Sequence, residues 1–534
     1  MLFKDRPYLV PLLLAIAVAI GVLLGNNLKR NTINNQKLFQ KGHSSKISTI
    51  LALISSEYVD SVSVKELEEK AIPEVLKNLD PHTVYIPAKE MVEVTEEMSG
   101  NFGGIGVQFR MQDDTVMVVD VIAGGPSKGV GILAGDRIVE VNDTTIAGIK
   151  ASTNDIMKKL RGPKGTKVKV SVARRGTKNL IDFEITRGTI PIYSVDVSYM
   201  INKEIGFIKV NRFSEQTDKE FNQAIKKLKG LGAQKLIIDL RGNTGGSLRA
   251  VRNMTDEFLG KDALILKTKG AKRLEAVMRA TERGEWEKGA IVVLIDEFSA
   301  SASEILAGAL QDNDRGIIIG RRSFGKGLVQ EQIPMVDGSA LRLTVAKYYT
   351  PSGRCIQKHY DKGNSESYFK DLSERMRHGE FLSQDSIHLP DSLKYYTLKG
   401  RVVYGGGGIM PDHFIPADTT GNSNYLYQLT RKGLVYQYAF KYADSNRKEL
   451  SNLKTPEEFI QHLKNEKVFE AFIKYAATKG VKKDRQGLKK SGKIIHAQLY
   501  AYIARDILGE EGFYSMIRAI DITLEKAIDI ISKE

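Results

Sequence analysis

The chain has 534 residues, a length for three or four domains that each bury their own core, and it carries a net charge of +15. That charge is spread out except for a cluster between Lys479 and Lys493; with no nucleic-acid module in the chain the cluster reads as a solvated basic face, which argues against a nucleic-acid partner. The single cysteine, Cys355, excludes an intramolecular disulfide and any cysteine-rich metal site, and reads as a packed small residue.

After Lys4 and Arg6, residues 7–25 are uncharged and almost wholly apolar. The run is near the minimum for a membrane span and long for the core of a signal peptide. No small-x-small cleavage pattern ends it, so residues 1–27 are expected to be an uncleaved signal anchor, with a cleaved signal peptide as the alternative. Basic residues flank both sides, so charge does not set the orientation. Residues 43–98 read as helical, with one apolar stripe through Ile47, Ile50, Leu51, Ile54 and Tyr58 and another through Val64, Leu67, Ala71, Val75 and Leu79. The proline-bracketed LDPHTVYIP (79–87) interrupts them as a turn in which His82 is structural. Residues 99–189 read as mostly β, with alternating runs at 104–111, 115–122, 137–142, 167–174 and 181–187 and a helical pattern at 152–160. The first run starts at Gly103, Gly104, Ile105, Gly106 and Val107. From the loop alone these residues form a glycine-rich hairpin turn, although such N–H groups can also hold a peptide's C-terminal carboxylate. Together with PSKGVGILAGDRIVEVND (126–143) the segment resembles a PDZ domain, departing from it at Gly129-Val130-Gly131.

From Ile190 the pattern becomes α/β. Strands are expected at 204–210 and 235–240, a helix at 217–229, and the turn RGNTGGSL (241–248) leads into a helix running to Leu259. The spacing of a dinucleotide-binding loop is absent there. The apolar runs 291–296 and 316–320 flank a helix that opens with Ser299, Ser301 and Ser303, forming one βαβ unit. A serine there is an N-cap by default, but its hydroxyl is exposed and the free N–H groups of the helix start can hold an oxyanion. A serine nucleophile needs a base. No histidine lies between His82 and His359, whereas Lys326 sits between two glycines just after the second strand. Burial lowers the pKa of a lysine and makes it a usable base. Gln330, four residues on, is expected on the same face, where its amide orients the lysine without adding charge. The stretch Gly320–Lys326 mimics a phosphate-binding loop, but Gly327 stands where a Ser or Thr is required and a strand pattern follows in place of a helix.

SASASEILAGALQD followed by FGKGLVQ closely resembles the C-terminal processing peptidases, or tail-specific proteases, which are serine endopeptidases with a Ser/Lys dyad. The family's spacing of 25 selects Ser301 and Lys326, and its supporting glutamine falls on Gln330. The resemblance implies backbone oxyanion donors at Ala302 and at Gly245 or Gly246. It leaves Glu304, one helical turn beyond Ser301, either to tune the site or to be solvated. It also implies an α/β core resembling the crotonase/Clp-protease superhelix, with the PDZ domain inserted, helical N- and C-terminal regions, and a bulk outside the cytoplasm, in a bacterial periplasm or cell envelope. The core spans 190–417 on this reading; 344–357 and 402–412 resemble family stretches, although the four glycines 405–408 alone read as a flexible linker. Residues 358–398, polar and without period, are expected to be an exposed insertion, and 418–534 a helical extension with no assigned chemistry. The expected function is peptide-bond hydrolysis on proteins captured by their free C-termini, with no metal or cofactor, tethered to a membrane and open to homo-oligomerisation. The rivals are a non-catalytic PDZ scaffold on a degenerate protease core and an acyl-binding protein on the same superhelix, neither of which has a use for an intact serine, lysine and glutamine.

Overall fold

The structure, a computed structural model, describes residues 11, 14–22, 45–112, 114–122 and 124–534. The anchor expected at 1–27 lies largely outside them, and no helix among the described residues is long and apolar enough to cross a membrane. Helices Lys46–Glu57 and Val64–Leu76 pack on one another in a first unit; everything from Lys77 onward forms a second.

The second unit is built on a sheet whose strand order follows the chain: Val195–Met200, Ile205–Val210, Lys235–Asp239, Ile291–Ile295, Ile317–Gly320 and His413–Phe414. All its pairings are parallel except the first. The middle strands are continuous apolar runs because both faces are covered. Leu236, Ile238, Val293 and Ile318 face the crossover helices Thr217–Gly230, Leu248–Asp256 and Ala302–Asp312. Phe207, Ile237, Leu294 and Ile319 pack with Leu524, Ala527 and Ile531 of the distant helix Ile522–Ile531. A second sheet holds Val84–Ile86, Leu264–Lys269, Ala276–Arg279 and Leu328–Pro334 around the long strand Ala340–Tyr349. Residues 101–191 carry a separate antiparallel sheet with its own core, including Val116, Ile138, Val170 and Ile185. Its short helix Pro126–Val130 ends at Gly131, whose φ of 94° takes the chain out of the helix.

Two expectations need correction. The segment 79–87 is more than a turn, since Val84–Ile86 pairs with Ala340–Tyr349. Asp80 holds it there, accepting from His82 N–H (2.9 Å), Thr83 N–H (3.1 Å) and the Thr344 hydroxyl (2.9 Å). The insertion 358–398 is not simply exposed: it contains the helix Ser365–Arg377, and Lys358, Tyr368 and Arg375 are buried. It has no apolar period because much of what it buries is polar and paired, as where Arg375 meets Glu380 at 3.1 Å. The glycines 405–408 are packed as well. Gly406 and Gly408 N–H groups donate to Cys355 and Ile356 carbonyls, and a Cβ on Gly408 would lie 2.8 Å from Ser323 Oγ.

The C-terminal helices, among them Leu434–Ser445 and the long Arg485–Ile517, enclose their own core, and Arg110 is one of the residues of the 101–191 domain that meet them. Arg110 places its guanidinium 3.2 Å from the centre of the Phe440 ring and 3.4 Å from Asp506 Oδ1. Burial pushes the Asp506 pKa up to about 6, with Arg110, Arg447 and Arg505 opposing. A carboxylate with a raised folded-state pKa loses stability as pH rises through that value. Arg110→Ala is therefore expected to cost roughly 2 kcal/mol at pH 8, because Asp506 keeps its charge and loses a partner, and less at pH 5, where Asp506 is protonated. Thermal unfolding of the full chain at the two pH values checks this.

Candidate active site

The three serines have separate environments. Ser299 is fully buried and donates to Leu240 O (2.9 Å); Ser303 is fully buried and donates to Asn243 O (2.8 Å). Both hydroxyls tie the turn before the helix to the 241–248 turn. Ser301, between them, is partly exposed and has φ 55° and ψ −111°, a backbone conformation that L-residues rarely occupy. Gly245 faces it across a gap so narrow that a Cβ there would lie 2.8 Å from Ser301 Cβ and 2.9 Å from Ala302 N. The φ of 100° at Gly245 makes glycine doubly necessary.

Glu304 is not solvated; it is completely buried. Its Oε2 accepts Ser301 N–H and Lys326 N–H, each at 2.8 Å, and its Oε1 accepts Gly325 N–H (2.7 Å) and the Ser323 hydroxyl (2.5 Å). Burial raises its pKa and these four bonds oppose the rise. On the other side, Tyr348 Oη lies 2.8 Å from Lys326 O and 3.3 Å from Ser301 O. Residues 301 and 326 are thus bridged at their amides by one carboxylate oxygen and at their carbonyls by one hydroxyl. The glycine turn that mimics a phosphate loop does bind an anion, the protein's own Glu304.

Lys326 Nζ donates to Gln330 Oε1 at 2.9 Å. The Gln330 amide cannot turn over, because its Nε2 donates to His82 O at 2.5 Å. A bulge at Val329/Gln330 in the strand Leu328–Pro334 lets Gln330 reach back towards Lys326. The lysine pKa lies below its ordinary value, first because of burial and then because of Arg342, with Glu304 and Asp80 opposing. The partly buried Lys326 is therefore more easily deprotonated than a surface lysine.

At the 241–248 turn, Gly245 N–H already donates to Asn243 Oδ1 (2.9 Å), which leaves Gly246 as the candidate for an oxyanion donor. Ala302 heads its helix, where the first amides have no intrahelical acceptor. The five residues Gly103–Val107 sit far along the chain from these groups in the small β domain. Gly103 N–H donates to Glu96 Oε1 at 3.1 Å, Ile105 O accepts Ser127 N–H, and Gly106 O accepts Ile122 N–H. A cleft of about 710 Å³ opens beside Gly103, lined by Val92, Glu96, Phe102, Met157 and Arg161. Sequence reasoning did not find Tyr348 or the contact of His82 with Gln330, which lack any local pattern. The Ser-x-x-Glu spacing of a capping box was a usable signal for Glu304.

Comparison with known proteins finds relatives of this chain. A family model for peptidase family S41 matches residues 204–363, a PDZ domain model matches 103–185, and a family of unknown function matches 425–509. The carboxy-terminal-processing protease of Bartonella bacilliformis is 36% identical over 61% of this chain and 75% of its own length. The carboxy-terminal processing protease CtpA of Bacillus subtilis is 34% identical over 66% of this chain and 74% of its own. Among solved structures, the photosystem II D1 C-terminal processing protease is 27% identical over 57% of this chain and 88% of its own, with a TM-score of 0.34.

The Glu304 arrangement can be tested directly. An amide offers one acceptor oxygen where four donors converge, so Glu304→Gln turns its NH2 towards two of them. Each unsatisfied buried donor costs about 1–3 kcal/mol. Glu304→Gln is expected to lower the unfolding free energy by about 2–4 kcal/mol and turnover by more than ten-fold. Denaturant unfolding and peptide hydrolysis below the melting transition measure the two separately.

Proposed function

Since this chain belongs to peptidase family S41 and is a serine protease carrying a PDZ domain, we propose that it captures protein substrates by their free C-termini and cuts them with a dyad of Ser301 and Lys326. The observation that carries the dyad is the double bridge between residues 301 and 326, with Lys326 Nζ held by Gln330. Neutral Lys326 removes the Ser301 proton as Oγ attacks the scissile carbonyl. The oxyanion of the tetrahedral intermediate is held by the amides of Ala302 and Gly246. Lys326 then returns the proton to the departing amine, leaving an acyl-enzyme. Water attacks the ester with Lys326 again taking the proton, and Ser301 recovers it as the new C-terminus leaves. Gln330 aims the lysine throughout.

The PDZ loop Gly103–Val107 supplies amides for the substrate's terminal carboxylate. The cleft of about 710 Å³ beside Gly103 supports this; Gly103 N–H is itself taken by Glu96, so capture falls to the amides that follow it in the loop. Residues 1–27 tether the enzyme to a membrane with its catalytic part outside the cytoplasm, a reading supported by the uncharged run 7–25. The non-catalytic scaffold has no observation in its favour.

Lys326→Arg keeps charge and length but cannot deprotonate usefully, so it should abolish turnover while peptide binding to the PDZ domain persists. Wild-type rate should rise with pH as Lys326 loses its proton, at an apparent pKa below that of an ordinary lysine. A serine-reactive phosphonate should label the wild type and leave Ser301→Ala untouched; labelling of Ser301→Ala would refute the nucleophile assignment. Amidating a substrate's C-terminus should slow its cleavage at subsaturating concentration, and equal rates would remove carboxylate capture. Deleting residues 1–27 should yield soluble, active enzyme, whereas a mature N-terminus near Asn26 would reveal a cleaved signal peptide.

A further inference from the structure

The insertion 358–398 has no role in the reaction outlined above, yet its buried side chains converge on the turn that carries Lys326. Arg375 donates to Arg322 O (2.7 Å) and Ser323 O (3.0 Å), just before the turn. Lys358 N–H donates to Gly325 O at 3.0 Å, and Lys358 Nζ lies 4.0 Å from the centre of the Phe324 ring and 4.2 Å from that of Tyr368. Tyr368, only 2% exposed, sets its ring edge-on to Phe324 at 5.8 Å and to His82 at 5.1 Å. Its hydroxyl lies 3.0 Å from His82 Nε2. The same His82 accepts Gln330 Nε2 on its carbonyl, and Gln330 Oε1 holds Lys326 Nζ.

We propose that Tyr368 is a positioning residue for the general base: it fixes His82, whose carbonyl fixes Gln330, which aims Lys326 at Ser301. The inference rests on the Ser301–Lys326 reading and extends it to a part of the chain outside the family's motifs. An amide orients a lysine only if the carbonyl it donates to is itself immobile. The His82 backbone is anchored on one side by Asp80, and the imidazole needs a second anchor, which Tyr368 provides. The imidazole is neutral at pH 7. Burial, Lys326 and Lys358 push its pKa down to about 4, against the pull of Asp80. A neutral ring with its proton on Nδ1 presents Nε2 as the acceptor for the tyrosine hydroxyl. The charged groups around Lys326 come from three other elements: Arg342 on the long strand, Glu304 on the serine helix and Asp80 in the 80–83 loop. Lys358 and Asp371 lie on the insertion side, paired at 2.7 Å. Tyr368 brings no charge, so it acts on the base through geometry and the exclusion of water.

Tyr368→Phe removes one hydroxyl and keeps the ring contacts with Phe324, His82 and Lys358. With activity assayed well below each variant's melting temperature, kcat should fall about ten-fold with KM within about two-fold. The acid limb of kcat against pH should move to higher pH, because water admitted beside Lys326 relieves the burial that depresses its pKa. Tyr368→Leu should lose more, with Phe the partial rescue. Gln330→Ala should lower kcat too, and combining it with Tyr368→Phe should add little, since both act on one chain of contacts. Unchanged kcat and pH profile in Tyr368→Phe, a loss of melting temperature alone, or multiplicative effects in the double variant would each overturn the proposal. Lys326→Arg, run alongside, separates the two levels. If inactive, it leaves the dyad standing whatever Tyr368→Phe does; if active, it removes the base and this inference with it.

Discussion

Glu304 takes four hydrogen bonds while fully buried, and the arrangement of the proposed dyad follows from that. A carboxylate out of water must find donors or give up its charge. The donors it finds come from both sides of the βαβ unit: Ser301 at the head of its own helix, and Ser323, Gly325 and Lys326 beyond the next strand. Because Ser301 and Lys326 amides share one oxygen, the distance between these two parts of the chain is fixed by bond lengths. The parallel strands Ile291–Ile295 and Ile317–Gly320 bring the segments near one another, and Glu304 sets the final approach. The negative charge also raises the pKa of Lys326, so burial and Arg342 must outweigh it to leave the lysine depressed.

The alternation of environments along Ser299, Ser301 and Ser303 shows how one short motif does two tasks. The outer hydroxyls are consumed in holding the turn together, which leaves the middle one for the proposed attack. The same economy appears in the turn after Gly320, where Gly325, which makes room for the chain, also presents its amide to Glu304.

Much of this was legible in the sequence, and the reason is locality. The core strands and crossover helices follow from runs and periods within windows of fewer than twenty residues, and Ser301, Lys326 and Gln330 all lie in one unit. What escaped depends on distant partners. His82 reaches Gln330 across 248 positions, and nothing in LDPHTVYIP announces a carbonyl that holds Gln330. The insertion was misread because polar periodicity carries no information when the buried groups are themselves polar. Arg375 and Tyr368 look like surface residues until the loop they satisfy is in view. Arg110 is similar: on an exposed strand it would be unremarkable, and only the aromatic ring of a helix 330 positions away makes it a contact. Gly245 and Gly246 were indistinguishable in sequence because the difference lies in which amide Asn243 occupies.

The backbone of Ser301 at φ 55° has an evolutionary consequence. Glycine would occupy that conformation with less strain, so under the proposed dyad the most comfortable residue at this position is a dead enzyme. Random substitution there can gain stability only by losing the hydroxyl. A lineage pressed towards heat tolerance must then collect its gains elsewhere, on surfaces and loops remote from the turn, while the strained residue passes unchanged through every intermediate. Conversely, a descendant that gave up proteolysis would be free to relax first at this one position.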